Sequence, residues 1–256
     1  MKRDARNTNI AIIAFVITLV VSISCTTMAE IQGTIDIAHE GYGANSAALI
    51  WGGGLSAYDG SAGVSILEKS AGSGQGNLWN DGPIAGFCIE LSEWSSSHMG
   101  TYNVVFPEQA QNPTTFLGEA IGSVKADYIS ELWGRFYDPA WAQGDSFTTS
   151  QNRDAGAFGA AIWEIIYEDL PSSSSGWDVG ADGTAGQLGF KAVGVDSCTA
   201  NTWLRSLDGQ GPRADLRAFT YDGRQDFVVQ VPEPATIFLL GMGSVTLIRR
   251  RIRAAQ

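Results

Sequence analysis

Two apolar runs, one near each end of the chain and each flanked by basic residues, confine the water-soluble fold to what lies between them. Lys2, Arg3 and Arg6 precede the apolar stretch Ile10 to Ile23, and Thr27-Met28-Ala29 supplies a small-x-small cleavage site before Glu30. This is the pattern of a secretory signal peptide over residues 1–29. Ser22 stands where an acylation motif carries a large aliphatic residue, so a lipid-bearing Cys25 is the weaker reading. At the other end, Ala235 to Ile248 is apolar and leads into Arg249, Arg250, Arg251 and Arg253. That run is shorter than the ~20 residues of an ordinary membrane span, a gap that snorkelling arginines close. Basic residues stay on the cytoplasmic side, which leaves residues 30–231 outside the membrane. The sequence therefore divides into a signal peptide (1–29), an exported domain (30–231) and a tail (232–256) with a transmembrane segment at 235–248.

The residues at the junction add a motif. Val231, Pro232, Glu233 and Pro234 stand immediately before the apolar run and the terminal arginines. Triplet, apolar run, basic end and signal peptide together resemble the PEP-CTERM sorting signal of exopolysaccharide-producing Gram-negative bacteria. The resemblance implies cleavage by an exosortase-type transpeptidase around Val231 to Ala235, after signal peptidase has removed the leader. It assigns the sorting role to Pro232, Glu233, Pro234, Arg249, Arg250 and Arg251. It also implies a transient stay in the inner membrane and delivery to the cell surface or an extracellular, biofilm-type matrix. An unprocessed tail anchor would use the same apolar physics and is the alternative.

Charge limits the partners. The 16 basic and 27 acidic residues of the whole chain become 9 and 25 between Glu30 and Val231, a net charge of −16. Such a domain repels nucleic acid and anionic headgroups, so neither is an expected partner. About 200 residues suffice for one domain with a real core. Charged residues make up 17% of the chain and glycine numbers 31, against averages of about 25% and about 7%. Fewer charges and more glycine point to strands and turns.

The first half reads as β structure. Ile35 and Ile37 alternate with polar residues, and Ala47 to Trp51, Val64 to Glu68, Gly86 to Leu91 and Tyr102 to Phe106 are further short strands. Gly52-Gly53-Gly54 and Ser70 to Asn77 read as loops. The period then changes. Val124, Tyr128, Leu132, Trp133 and Phe136 follow a Ser123 cap at helical spacing. Ala155, Phe158, Ile162, Ile165, Ile166 and Asp169 do the same after Asn152, which predicts a second amphipathic helix ending before Pro171. A short third helix is predicted around Thr199 to Leu207, and a last strand over Asp226 to Val231. The fold class expected is α+β, a β-sandwich or barrel core with two to three packed helices.

A second resemblance covers Phe87 to Asp169. Gly86-Phe87-Cys88-Ile89-Glu90-Leu91, followed by the helix containing Gly159, Ala161, Ile162 and Trp163, is similar to thioester-forming surface domains. There a strand cysteine joins a helix glutamine. This chain has Gly159 at the glutamine position, so the resemblance implies no internal thioester, because such a bond needs both partners. On a strand Phe87, Ile89 and Leu91 share one face, which reads as core, and Cys88 and Glu90 share the other. Gly159 inside a helix costs about 1 kcal/mol relative to alanine, which close packing against a strand would explain. Cys88 and Cys198 are the candidates for a disulfide in an oxidising compartment. Their bridging depends on a Cα separation that spacing does not give.

Catalytic patterns are sparse. Only His39 and His98 occur, and the serines before His98 read as an exposed loop, since triad members meet through the fold. No zinc or EF-hand spacing is present, and no cofactor is expected. Glu90 with Glu93, and Glu164 with Glu168, are the nearest carboxylate pairs for glycoside hydrolysis, which requires a fixed separation in space. The i,i+4 pair shares a helix face and reads as solvated. No residue is assigned a catalytic role, and an enzyme is not expected. Of eight tryptophans, Trp133, Trp163 and Trp203 fall on helices, while Trp79, Trp94, Trp141 and Trp177 lie in loops. Trp94 and Trp177 are the candidates for stacking on sugars. The expected role is structural or adhesive within an extracellular polysaccharide matrix. A carbohydrate-binding module is the first alternative and an exported hydrolase the second.

Overall fold

The computed structural model describes residues 30–110, 120–170, 173–181 and 189–233. The signal peptide, the segment 235–248 and Pro234, Arg249, Arg250 and Arg251 lie outside them. In chain order the main elements are β1 (Gly33–Gly52), β2 (Leu55–Gly74), β3 (Gly82–Cys88), β4 (Gly100–Val105), α1 (Ser123–Phe136), α2 (Thr149–Tyr167), β5 (Lys191–Val193), α3 (Ser197–Ser206), β6 (Leu216–Tyr221) and β7 (Arg224–Gln230). The strands are ordered β2-β3-β7-β6-β4-β1, and β1 pairs back onto β2. All these pairings are antiparallel, so six strands close into a barrel with no free edge at that level. The α+β expectation holds, and of the two shapes considered the strands take the barrel. β5 adds only to the outer part of β1, at Leu49–Trp51.

β1 and β2 form one long hairpin where three short strands are predicted. Gly53 and Gly54 make its two-residue turn, with φ of 57° and 85°. Two consecutive positive φ values are the geometry that glycine adopts at no steric cost. The register slips at Asp36/Ile37, His39/Gly41 and Tyr42/Asn45, and these irregularities bend the hairpin out of the barrel. Ser70 to Gly74, expected as loop, continues β2. Its lower half belongs to the barrel, and its upper half lies against α2.

Period-two alternation sorts the strand residues between two cores. Ile35, Ile37, Leu67, Ile84, Tyr102, Val104, Phe219, Phe227 and Val229 fill the barrel, with Trp79 edge-on to Phe219 at 5.0 Å. Phe87, Val105, Ala218 and Val228 face the other way and pack beneath the helices. Each such side chain removed from water contributes ~1.5–3 kcal/mol.

α2 is the keel of the second core. Thr148 and Gln151 form a capping box at its start, a few residues before the predicted Asn152 boundary. Every residue from Ala155 to Tyr167 is buried, so the helix is enclosed on all sides rather than amphipathic. Gly156 and Gly159 allow this. A Cβ at 159 would stand 2.9 Å from the Gly63 nitrogen, and one at 156 would stand 2.6 Å from Ser46 Cβ. Asn152 fastens the same contact, accepting from the Asn45 N–H at 3.1 Å. α1 begins at Ser123 itself, after Gly122, with no side-chain cap. α3 is capped by Asp196, whose carboxylate accepts from Thr199 N–H at 3.1 Å.

Glu131 of α1 is fully buried. Its carboxylate accepts from the N–H groups of Asp208, Gly209 and Gly211 at 3.3, 2.7 and 3.2 Å and pairs with Arg135 at 2.6 Å. One buried anion thereby organises the loop between α3 and β6. No helix among the described residues is long and apolar enough to cross a membrane.

Candidate functional site

β2 and β3 part company above the barrel. They pair from Lys69–Gly82 to Ser65–Gly86 and no further. After Cys88 the chain is drawn away by other partners. Trp163 Nε1–H donates to the Cys88 carbonyl at 2.8 Å, Ile89 N–H to Asp226 O at 3.0 Å, and Leu91 N–H to Tyr167 Oη at 2.9 Å. The split opens a cleft of about 300 Å³ between the upper part of β2 and the segment Leu91–Ser95, at the lower end of the range for small-ligand sites. Its floor is Ile50, Cys88, Leu91 and Trp163, and its walls carry Asp59, Ser61, Ser65, Ser92, Glu93, Ser95 and Gln225.

Aromatic rings form the lip. Trp94 is 72% exposed and meets Tyr58 edge-on at 5.7 Å, with exposed Tyr42 beside them. A tryptophan this open forgoes most of its burial energy, an arrangement common at binding surfaces. The segment is held in place: Gln225 N–H donates to Trp94 O at 3.1 Å, and Gln225 Nε2 to Glu90 O and Glu93 O at 3.2 and 3.4 Å.

Beneath the lip the chemistry is acidic. Glu90 is buried and accepts from Ser92 Oγ at 2.8 Å. Burial, reinforced by Glu93, pushes its carboxyl up to about 7. Asp226 is also buried and accepts from Tyr221 N–H at 2.8 Å. Burial, then Glu90 and Glu93, push it up to about 8. The Cys88 thiol donates to the Glu90 carbonyl at 2.6 Å, and burial pushes it well above the usual thiol range. It is a protonated core group, unlike the thiolate that nucleophilic chemistry needs.

The residues singled out from sequence separate here. Trp94 is at the lip. Trp177 is not a sugar-stacking residue: it is 2% exposed and packs edge-on against Tyr128 at 4.9 Å. Its loop is pulled inward because Glu164 accepts from Asp178 N–H and Asn201 from Val179 N–H. Trp79 and Trp141 are likewise buried. Cys88 and Cys198 are both free, Cys88 in the core and Cys198 exposed on α3, so the disulfide is absent. Glu164 and Glu168 are not a solvated pair: Glu164 is buried, and Glu168 accepts from Phe190 N–H at 2.6 Å. Glu90 and Cys88 are buried along with Phe87, Ile89 and Leu91, because α2 and the β6–β7 hairpin cover the second face. His39 lies half-buried between Tyr42 and Phe227, and burial lowers its pKa. His98 is exposed. Among the described residues no cluster of His, Cys, Asp or Glu is placed to hold a metal ion.

Tyr58, Gln225 and Asp226 were not legible as site residues. Tyr58 follows Ala57, which has a φ of 50°, and nothing in its neighbours announces that it faces Trp94.

The opposite pole carries the junction with the tail. Gln230 ends β7 between two indoles: Trp79 Nε1–H donates to its carbonyl at 3.0 Å and Trp133 Nε1–H to its side-chain oxygen at 2.9 Å. Val231 N–H donates to Asp215 O at 2.8 Å, and Pro232 and Glu233 are exposed immediately afterwards. Grooves of about 850 and 440 Å³ border Val231 to Glu233. No curated protein and no solved structure matches the chain. Residues 230–253 match the model of the PEP-CTERM protein-sorting motif. Pro232 and Glu233 are presented at the surface directly after an anchored strand, and the chain carries a PEP-CTERM sorting motif, which implies an exported protein that an exosortase recognises during a transient membrane-anchored step.

Proposed function

We propose that this protein is an adhesive component of an extracellular polysaccharide matrix, and that it holds the polymer through the Tyr58–Trp94 cleft. The observation that carries the reading is an exposed tryptophan edge-on to a tyrosine above walls of serine hydroxyls, carboxylates and an amide. Aromatic faces take the C–H faces of sugar rings, and the polar walls take their hydroxyls. The delivery scheme that goes with it is a leader over 1–29, an anchor at 235–248, and cleavage between Val231 and Ala235.

The test is an oligosaccharide array probed with the full-length chain and with Trp94→Ala. Saturable binding that falls at least tenfold in the variant, with an unchanged melting temperature, supports the reading. Equal binding by both proteins removes the cleft from consideration. Release of shortened oligosaccharides would instead favour a hydrolase.

A further inference from the structure

We propose, resting on the saccharide reading above, that the cleft selects sugars bearing a free ammonium group over their N-acetylated, neutral or uronic counterparts. Three observations converge. The cleft has a defined volume of about 300 Å³, and among the described residues that line it the carboxylates are Asp59 and Glu93, with no lysine, arginine or histidine. Glu90 and Asp226 are buried just below, and among the described residues no cation is paired to either. The lip is Trp94 with Tyr58, and indole and phenol faces attract cations through the ring quadrupole.

A uronic acid in this cleft would set its carboxylate against Glu93 and Asp59 in a partly dehydrated space. A neutral sugar gains stacking and hydroxyl contacts only. An amino sugar gains both and adds charge-assisted hydrogen bonds to carboxylates, which are roughly twice as strong as neutral ones. The polymer class that fits is a hexosamine chain with some of its amines free.

The experiment is calorimetric titration of the full-length chain in detergent with four tetrasaccharides. These are β-1,4-glucosamine, the same chain fully N-acetylated, the corresponding glucose chain, and a β-linked glucuronate chain. The expected result is about tenfold tighter binding of the free amine than of its acetylated form at low salt. That gap should narrow as ionic strength rises. Glu93→Gln and, separately, the exposed Asp59→Asn should narrow the gap between the free and the acetylated amine, and Trp94→Ala should weaken binding of every saccharide alike. Equal affinity for free and acetylated amines, or preference for the glucuronate, overturns the charge selection and leaves the saccharide reading standing. Absence of binding by all four overturns both.

Discussion

Gly159 of α2 lies against Gly63 of β2 so closely that no side chain fits between helix and hairpin. Alanine at 159 would gain about 1 kcal/mol of helix propensity but would place its Cβ 2.9 Å from a backbone nitrogen, which cannot rotate aside. Gly159→Ala is expected to destabilise the fold by about 1–3 kcal/mol, the range for overpacked cores. Urea denaturation followed by tryptophan fluorescence measures it, and a stabilised variant would mean that α2 shifts freely on the hairpin.

Glu131 offers a second test. Glutamine keeps its shape but turns an amide NH2 toward N–H donors and leaves Arg135 without its buried partner. Glu131→Gln should cost about 3 kcal/mol and expose the loop at 208–211 to proteolysis. Limited digestion of native protein reads the second effect directly.

The indole clamp on Gln230 can be read by exchange. Trp133→Phe keeps an aromatic ring against Phe87 and Phe158 but removes the donor to Gln230 and part of the buried indole. About 1–3 kcal/mol should be lost to the missing bond and the space left behind, with faster hydrogen exchange at the Val231 amide. Unchanged exchange there would show that β7 is held by its ladder alone.

The thiols should behave unequally. Native protein without the leader, which carries Cys25, should gain one adduct with iodoacetamide, at Cys198, and Cys88 should react only after denaturation, because it is buried and its thiol is pushed upward. The intact mass of the native protein should not change with reductant. A two-hydrogen deficit that reductant reverses would instead establish a bridge in the mature protein.

Stability should fall as pH rises from 5 to 8. Glu90 and Asp226 titrate near 7 and 8 in the folded protein and near 4 when unfolded. Between those values the folded state holds more protons, so raising the pH favours unfolding. The melting temperature should drop by several degrees over this range. Glu90→Gln and Asp226→Asn, each of which keeps its accepting oxygen, should flatten the slope. A slope of opposite sign would mean that both carboxyls ionise freely in the fold.

The helices were legible because each writes its period locally: Leu132, Trp133 and Phe136 in one, Phe158, Ile162 and Ile165 in the next. Their caps were less so, since Thr148 with Gln151 and Asp196 with Thr199 lie just outside the apolar pattern. The hairpin read as fragments because Gly41, Gly43 and Gly63 interrupt its alternation, although they are bulge and contact positions within a continuous ladder. β6 was missed altogether. Its Arg217 is an inward charge that breaks the strand pattern, and it is held by Gln75 and Asp215. Trp177 and Glu164 were misplaced for a shared reason: each is buried by a partner distant in sequence, Tyr128 and the Asp178 backbone. Of the cleft, Trp94 was visible as a loop aromatic without a helical period and Glu93 as one of a carboxylate pair with Glu90, whereas Tyr58, Asp59 and Gln225 were not. Its depth and its acids depend on where β3 leaves β2, which is set by Trp163 and Tyr167.

The clamp at Gln230 also fixes how the protein carries load. Any pull on the chain beyond Val231 acts lengthwise on β7, which is bonded on one side to β3 and on the other to β6. Tension along a strand between two antiparallel neighbours strains its ladder bonds together in shear rather than opening them one at a time. The barrel is therefore tethered by a central stave, and a pull on its C-terminal end meets the bonds of two ladders at once.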